Sequence, residues 1–315
     1  MIIKSDAYDE YWKFAFLRQL AFRKSLPQNI SHIEQPNEDP IIKKYKFTNC
    51  YRALDRTSQF LIKEVIHSNN WSPENTFFRV LLFKIFNKIE TWQILEKEFG
   101  AITLETFSPT LFCSALDHAK KNKEKIYSAA YIMPSGLKEF GSTKKHENNI
   151  TLIELLIKKE LHKRIWDIKN LEDVYKTLLA TPTLGPFLAF QYSIDLGYSP
   201  HSITKEDQFV VAGPGAIRGI EKCFHDIGNK NYKYIIEFMA ESQEKEFKTL
   251  GLEFPYLKNR KLQLIDIQNL FCEVDKYLRV KRPDLSKYKS RIKQHYTKKT
   301  NPIEFTFPPK WNAAL

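Results

Sequence analysis

The sequence has few cysteines, and none of them lie close together. It contains four, and no two of them form a C-x-x-C pair. They are Cys50, Cys113, Cys223 and Cys272. Zinc sites and iron–sulfur clusters usually draw on closely spaced cysteines. The spacing therefore argues against both kinds of centre and predicts reduced, buried thiols, and we expect neither a metal nor a cofactor.

Long apolar runs and a secretory leader are also absent. No stretch approaches the roughly 18 apolar residues that a membrane-spanning helix needs. The N-terminal segment MIIKSDAYDEYW has no hydrophobic core segment and no cleavage site. We therefore expect a cytoplasmic protein that makes no membrane contact.

What the sequence does have is a large excess of positive charge. The chain of 315 residues is long enough to bury a core, and 43% of it is hydrophobic, which excludes a disordered protein. It carries 49 Lys and Arg against 37 Asp and Glu, for a formal net charge of +12. Such an excess favours a polyanionic partner, nucleic acid first and an anionic membrane surface second.

Apolar residues recur at helical spacing through most of the chain, with no strong strand pattern and no internal repeat. The segment Thr76–Glu90 is apolar nearly all round and predicts a buried core helix, and Glu147–Ile165 predicts an amphipathic one. The sequence therefore predicts an all-α protein. We expect residues 1–300 to form a single helical domain of two lobes with a cleft between them, and residues 301–315 to form a C-terminal tail.

The stretch from Asn170 to Phe224 predicts two helices joined by a glycine turn. Asn170 is a good N-cap, Pro182 ends the first helix, and Gly185–Pro186 starts the second, which runs to Leu196. Such a turn directs backbone N–H groups towards an anion such as a DNA phosphate. A turn that simply connects two helices is the alternative.

An acid follows this turn along the chain. Asp207 comes 22 residues after Gly185 and precedes an apolar run, Phe209–Val211, and a second glycine turn at Gly213–Gly215. The resemblance described below makes Asp207 the candidate catalytic acid. Three further acids are held in reserve: Asp195, Asp266 and Asp275.

The apolar helix predicted near residues 262–283 carries unusually many polar side chains. Asn and Gln can bind a base edge through two hydrogen bonds, and an extruded base needs such partners. The candidate base-pocket residues are Gln268, Asn269 and Glu273. A solvated helix face explains the same pattern equally well.

The most basic part of the chain, Lys276–Lys299, holds ten Lys or Arg residues, one acid and interleaved tyrosines. Contacts with a phosphate backbone are the natural use of such a segment. The candidate DNA-binding residues, including the two glycine turns, are Gly185, Lys205, Gly213, Gly215, Arg218, Lys276, Arg279, Lys281 and Arg282.

Six segments taken together resemble a known family. They are YWKFAFLRQ, DPIIKKYKFTNCYRALDR, FFRVLLFKIFNKIETW, GPFLAFQYSIDL, VAGPGAIRGI and DIQNLFCEVDKY. The set resembles the α-glutamyl/putrescinyl-thymine pyrophosphorylase family and is similar to the helical domain of phage 5-hydroxymethyluracil DNA kinases. The resemblance covers roughly Tyr11–Pro283. It implies a helical fold like that of DNA glycosylases and activity on modified bases in DNA, in base-hypermodification enzymes or antiphage glycosylases.

The resemblance extends to the glycine turn. In helix-hairpin-helix DNA glycosylases a small-residue hairpin precedes the catalytic aspartate by a similar interval. Gly185 and Ala189 occupy the hairpin places here and Asp207 the place of the acid, whereas Thr183 stands where a second hairpin glycine is usual. Kinase-linked members of the family carry a P-loop. This sequence contains no G-x-x-x-x-G-K-[ST], so phosphoryl transfer by this chain is not expected.

The leading functional hypothesis is a DNA glycosylase that extrudes and excises a hypermodified pyrimidine, in antiphage defence. Asp207 would stabilise the cationic sugar and orient water, with greater electrostatic effect in a partly dry cleft. Lys205 would contact a phosphate or act as a Schiff-base nucleophile. We expect a monomer that binds DNA containing modified bases.

Two other functions fit the sequence. The first is a base-hypermodification transferase that extrudes the same base and acts on an activated 5-hydroxymethyl pyrimidine. It needs a second pocket, which would hold the donor of the transferred group. The second is a non-catalytic DNA-binding module, which needs the basic helix but no buried acid.

Overall fold

The computed structural model describes residues 2–26, 39–286, 292, 294–297 and 303–315. These residues form fourteen α-helices and one two-stranded antiparallel sheet, so the predicted all-α class is confirmed. The helices are α1 (Tyr8–Lys24), α2 (Pro40–Lys44), α3 (Arg56–Phe60), α4 (Pro73–Phe86), α5 (Ile89–Phe99), α6 (Pro109–Lys121), α7 (Leu137–Phe140), α8 (Lys145–Lys158), α9 (Leu161–Asp167), α10 (Leu171–Leu179), α11 (Pro186–Gly197), α12 (Pro214–Cys223), α13 (Tyr232–Thr249) and α14 (Leu264–Lys281). The strands are β1 (Ile3–Lys4) and β2 (Phe224–Asp226).

The described residues group into two compact units. The first contains those of Met1–Asp55, Phe209–Phe305 and Trp311–Leu315, and the second contains Arg56–Gln208 and Thr306–Lys310. The arrangement as one domain with a separate tail stays a prediction. Each unit has its own buried core.

Helix α14 lies at the centre of the first unit. It packs against α1, α2, α12 and α13, and most of its side chains are buried. The Tyr11 hydroxyl on α1 donates to the Ile267 carbonyl on α14. Helix α12 approaches more closely still, because a Cβ on Gly219 would lie 2.1 Å from the Phe271 carbonyl oxygen. Only glycine permits this crossing.

Helix α4 is the corresponding element of the second unit. Every residue from Thr76 to Phe86 is buried, so the predicted buried core helix is confirmed over these residues, but it ends at Phe86 and does not continue to Glu90. Ser72 caps its start by accepting from the Asn75 N–H, and Asn87 ends it at a φ of 47°, in the left-handed region. Helix α4 packs against α5, α8, α9 and α11. It therefore supplies the largest share of this core.

The glycine turn has the predicted course. Asn170 caps α10 by accepting from the Asp173 N–H, and Gly185 stands immediately before α11. Thr183 has a φ of 68°, a left-handed conformation that a β-branched residue rarely adopts. That position is the one where the resemblance leads us to expect glycine. The backbone therefore has the left-handed conformation at this position even though the residue there is threonine.

The prediction of one helix over Glu147–Ile165 is wrong. The chain breaks at Glu160, which has a φ of 49°, and two helices, α8 and α9, take its place. Apolar spacing alone does not reveal such a break, because both helices bury one face in the same core.

All four cysteines lie in the described part of the chain and are free, two of them buried and two half-buried. Across the residues placed by the structure, no helix is both long enough and apolar enough to cross a bilayer.

Candidate functional site

An open stripe runs along helix α14, whose other residues are buried as far as Leu278. It consists of Asn269, Cys272, Lys276 and Arg279, which recur every three or four residues and are each half-buried. We call these four residues the α14 stripe. Lys276 and Arg279 bring two positive charges to solvent along this stripe, so it forms the starting point of a candidate nucleic-acid interface.

Helix α12 borders the α14 stripe with its own row of residues, Gly215, Arg218 and Lys222. A Cβ on Gly215 would lie 2.9 Å from the Cys272 sulfur, which shows how closely the two helices approach. Gly213 caps α12 with no side-chain hydrogen bond, so no cap side chain covers the N–H groups of its first turn. The glycines of the second predicted turn therefore lie beside the basic residues of α14.

Asp275 holds three of these cations together. Arg218 and Lys222 approach it to 3.1 Å and 2.9 Å, and Arg279 also donates to it. Its side chain is only 2% exposed. Burial by itself raises the pKa of Asp275, but the hydrogen bonds from Arg279 and Lys222 outweigh it and keep the pKa below the ordinary value. Asp275 is an ionised anchor for the cations and has no free oxygen for catalysis.

Glu273 is a second buried carboxylate that pairs with a cation of the α14 stripe. It is buried, accepts from the Thr48 N–H at 3.2 Å and pairs with Lys276. Four cations are thus set against the two carboxylates Asp275 and Glu273, which leaves a net positive surface. That surface suits a phosphate backbone.

The remaining predicted basic contacts are only partly described. Lys281 is exposed, and Arg282 pairs with Asp6 and Asp284. The other basic residues of the predicted segment lie outside the described residues: Lys287, Lys289, Arg291, Lys293, Lys298 and Lys299.

The two remaining base-pocket candidates differ in exposure. Gln268 is buried, its amide nitrogen lies 3.2 Å from the Cys272 sulfur, and its amide oxygen has no partner among the described residues. Asn269 belongs to the α14 stripe and is open to solvent. Asn269 is therefore the one of the two that a base can reach without a change of structure, and its role stays a prediction.

Asp55, which the sequence did not single out, lies at the end of a polar cluster. Arg18 donates to the Thr48 carbonyl at 2.9 Å and to the Asn49 side chain. The Asn49 N–H in turn donates to Asp55 at 2.9 Å. We call Arg18, Thr48, Asn49 and Asp55 the Asp55 cluster. It adjoins the α14 stripe through the bond from Thr48 to Glu273.

Asp55 has the ionisation behaviour of a proton acceptor. Burial raises its pKa to about 6, against the lowering effects of the Asn49 hydrogen bond and the Arg18 charge. Carboxyl groups with pKa values brought close to neutrality are frequent at functional sites, although ion networks also produce them. The half-buried Asp55 is therefore the acid of the first unit best suited to proton transfer.

Asp266 has a structural role. It closes a capping box with Gln263 at the start of α14, and it accepts from the Arg52 N–H at 2.8 Å. These bonds fix the start of the helix that carries the α14 stripe.

Asp195 lies in the second unit, in a buried ion pair. It is 2.9 Å from the Lys84 ammonium, and the two side chains are 1% and 3% exposed. The ammonium also lies 3.9 Å from the ring centre of Tyr131, which stacks on Phe187. Lysine within the apolar run of α4 was the sequence signal for this pair, because lysines are almost never fully buried unless paired.

Asp207 lies in an exposed turn near the end of the second unit. Gln208 stabilises this turn by accepting from the N–H groups of Leu171 and Lys205, each at 3.2 Å. Lys205 is exposed as well. A catalytic acid at Asp207 would need a partly dry environment, which an exposed turn does not provide.

Gly185 is exposed, and a Cβ there would meet nothing within 4 Å. Packing therefore does not explain the glycine. A ligand that approaches the backbone closely would explain it, so the predicted phosphate contact at this turn stays a prediction.

The segments that carry the family resemblance collect around these groups. Four of the six meet in the first unit, where they supply α1, the Asp55 cluster, α12 and α14. The other two meet in the second unit, where they supply Lys84 and Asp195.

Comparison with known proteins decides the family. The family described as "5-hmdU DNA kinase, helical domain" matches residues 5–287. The chain belongs to this family. A protein named 5-hmdU DNA kinase, from Bacillus phage SP10, is 30% identical over 265 residues. The match covers 76% of this chain and 40% of the phage protein, so the chain spans well under half of that relative.

A second relative carries little weight. Translation initiation factor 6 of Nanoarchaeum equitans is 34% identical over 149 residues, covering 46% of this chain and 65% of that protein. The match spans less than half of this chain, whereas the family match spans nearly all of it. No solved structure matches the chain.

The comparisons correct the leading functional hypothesis. A hydrolytic DNA glycosylase is wrong, because both the family and the phage relative are named for a kinase of 5-hydroxymethyluracil in DNA, which is a transferase. The role of Asp207 beneath a cleaved sugar was part of that hypothesis and is withdrawn with it. The alternative of a modification enzyme for 5-hydroxymethyl pyrimidines agrees better with the family.

Proposed function

We propose that this chain binds DNA that contains 5-hydroxymethylpyrimidines and takes part in a transfer reaction at their 5-hydroxymethyl group. The observation that carries the proposal is the family match over residues 5–287, since the family and the phage relative are both named for a kinase acting on that base.

The first unit provides groups that suit such a substrate. The cations around Asp275 and Glu273 face the phosphate backbone, and Asn269 on the α14 stripe meets the edge of an extruded base. Asp55 then accepts the proton of the 5-hydroxymethyl group as that oxygen attacks the γ-phosphorus of a nucleoside triphosphate, and the bond from this phosphorus to the nucleoside diphosphate breaks to release the diphosphate. A carboxyl group with a pKa of about 6 is suited to general-base catalysis near neutral pH.

A second function is favoured by one observation about the sequence. The 315 residues contain no P-loop motif, and the chain aligns with only 40% of the phage kinase. Phosphate-donor chemistry of the P-loop type therefore has no counterpart in these residues. A module that recognises the modified DNA, without chemistry of its own, is the second candidate.

The test compares duplexes that differ only in one base: thymine, 5-hydroxymethyluracil or 5-hydroxymethylcytosine. Binding is followed by fluorescence anisotropy. Each duplex is then incubated with the protein and digested, and the mass of its bases is measured by mass spectrometry. One incubation contains ATP, one contains an amine donor and pre-phosphorylated 5-hydroxymethyluracil in the DNA, and one contains neither. Added mass on a 5-hydroxymethyl base supports the transferase, and preferential binding without added mass supports the recognition module. Equal binding to all duplexes and no added mass would refute both.

Matched variants separate binding from chemistry. Asp55→Asn keeps an acceptor oxygen for the Asn49 N–H, so we expect it to bind DNA normally and to lose most of any transfer activity. Asp207→Asn is the control, because an exposed acid with no part in the proposed site should leave both measurements unchanged. Full transfer activity in Asp55→Asn would remove Asp55 from the proposal.

A further inference from the structure

The second unit contains a group of metal-binding side chains that lies outside the proposed site. Asp117 on α6 and His146 and Glu147 on α8 each offer one ligand atom, and these atoms lie within 4.8 Å of one another. The His146 Nε2 is 3.1 Å from an oxygen of Asp117. Ligand atoms about 2.1 Å from a shared ion lie roughly 3 to 3.4 Å apart, a spacing that the His146–Asp117 pair already has.

His146 provides an independent indication of a missing partner. Its ring is fully buried, and within the described part of the chain neither ring nitrogen has a hydrogen-bond partner. The contact with Asp117 is short enough but lacks hydrogen-bonding alignment. A buried polar group without a partner is costly and calls for an ion or a water. Because Nε2 faces the carboxylate, an ion placed there satisfies both groups.

A positive charge already occupies this position. The Lys144 ammonium is 2.6 Å from Asp117 and 3.0 Å from Glu147, and its side chain is about half exposed. The carboxylates are therefore arranged around a cation. Lys144 is long and exposed, so it can move into solvent when a more highly charged ion arrives.

The ligands lie at the edge of a cavity. An open pocket of about 390 Å³ lies where α6 packs against α8, and both Asp117 and Glu147 line it together with Cys113. His146 lies behind the two carboxylates, in the core. An ion bound by all three would have its remaining coordination positions towards the cavity, as catalytic metal sites do.

We propose that Asp117, His146 and Glu147 bind one divalent first-row transition-metal ion, which displaces Lys144 and leaves open coordination positions facing the cavity between α6 and α8. One imidazole and two carboxylates suit Mn²⁺, Co²⁺ or Zn²⁺. The ligand class for the open positions is water or an oxygen anion. This inference does not depend on the proposed function.

The experiment titrates the full chain, freed of metal with a chelator, with Mn²⁺. Free Mn²⁺ is followed by electron paramagnetic resonance. Zn²⁺ is titrated in parallel by calorimetry. We expect one ion per chain. Glu147→Gln should weaken Mn²⁺ affinity by more than about tenfold. Lys144→Gln should strengthen it, because the ion no longer has to displace an ammonium group. Both residues are solvent-accessible, so these variants should keep their fold, which circular dichroism checks.

Two controls exclude binding elsewhere on the same helices. Glu154→Gln removes a carboxylate two turns along α8, and His118→Gln removes an exposed histidine on α6. Both should bind Mn²⁺ as the unaltered chain does. Failure of Mn²⁺ and Zn²⁺ to bind at millimolar concentration would overturn the proposal. So would binding that survives Glu147→Gln or disappears in His118→Gln.

Discussion

Buried carboxylates in the first unit are held by several donors at once. Asp275 receives three cations, and Asp266 receives backbone N–H groups from two different segments. The three cations keep Asp275 ionised, and both carboxylates join elements that are far apart in sequence. Asp55 differs, because burial raises its pKa by more than the Asn49 hydrogen bond and the Arg18 charge lower it.

This difference at Asp55 predicts a pH-dependent stability. Its pKa is about 6 in the folded protein and about 3.9 in an unfolded chain, so the folded state binds the proton more tightly. The folded state therefore loses stability as pH rises from about 4 to about 6. The side chain of Asn in Asp55→Asn cannot ionise. We therefore expect the free energy of unfolding of this variant to exceed that of the unaltered protein by on the order of 1–2 kcal/mol at pH 7 and by little at pH 4.

Urea unfolding followed by tryptophan fluorescence at pH 4 and pH 7 measures this gap. Asp207→Asn, in an exposed turn, provides the control, and its free energy of unfolding should equal that of the unaltered protein at both pH values. A constant difference between Asp55→Asn and the unaltered protein at both pH values would contradict the raised pKa.

At the scale of elements, the crossing of α12 over α14 organises the first unit. The small residues of α12 let the two backbones approach until Gly219 meets the Phe271 carbonyl. The same approach brings Arg218 and Lys222 within reach of Asp275. Close helix packing and the basic surface are therefore consequences of one arrangement.

Two glycine substitutions test this crossing. Gly219→Ala should destabilise the protein by about 1–3 kcal/mol, because the new methyl group meets backbone that cannot move aside. In an exposed helix the same change gains about 1 kcal/mol, so the sign itself is informative. Gly215→Ala is the matched comparison and should cost less, because its new methyl group meets the side chain of Cys272, which can rotate. Thermal or urea unfolding of both variants gives the order, and a stabilised Gly219→Ala would contradict the crossing.

At the scale of the whole molecule, the net charge of +12 is the dominant electrostatic property. A chain with this charge attracts DNA of any sequence through its phosphates. Selection of a modified base must then come from contacts that do not depend on phosphate. The two contributions have different salt dependences and are separable on that basis.

Measuring DNA binding at several salt concentrations separates the phosphate contribution from the base-specific contribution. We expect log Kd to rise linearly with log salt concentration, with the same slope for thymine and 5-hydroxymethyluracil duplexes and an offset that favours the modified one. Lys281→Ala should lower the slope by about 0.9 for each phosphate that the variant no longer neutralises. Lys245→Ala, exposed on α13, is the control and should keep the slope. Unequal slopes for the two duplexes, or no slope at all, would contradict this picture.

The sequence by itself determined the all-α class, the buried α4 and the cap at Asn170. Each depends on residues within one or two turns of one another, so periodicity and capping chemistry are sufficient to predict them. The break at Glu160 escaped because local spacing continues across it.

Only the tertiary structure decided the roles of the acids. Asp275 meets Arg218 across 57 residues, and Lys84 meets Asp195 from another helix. Asp55, His146 and Asp117 likewise acquire their chemistry from partners and burial that local sequence does not record. A carboxylate in the sequence is only a charge. Whether it anchors cations, accepts a proton or binds a metal ion is set by the groups that folding brings within about 3 Å of it.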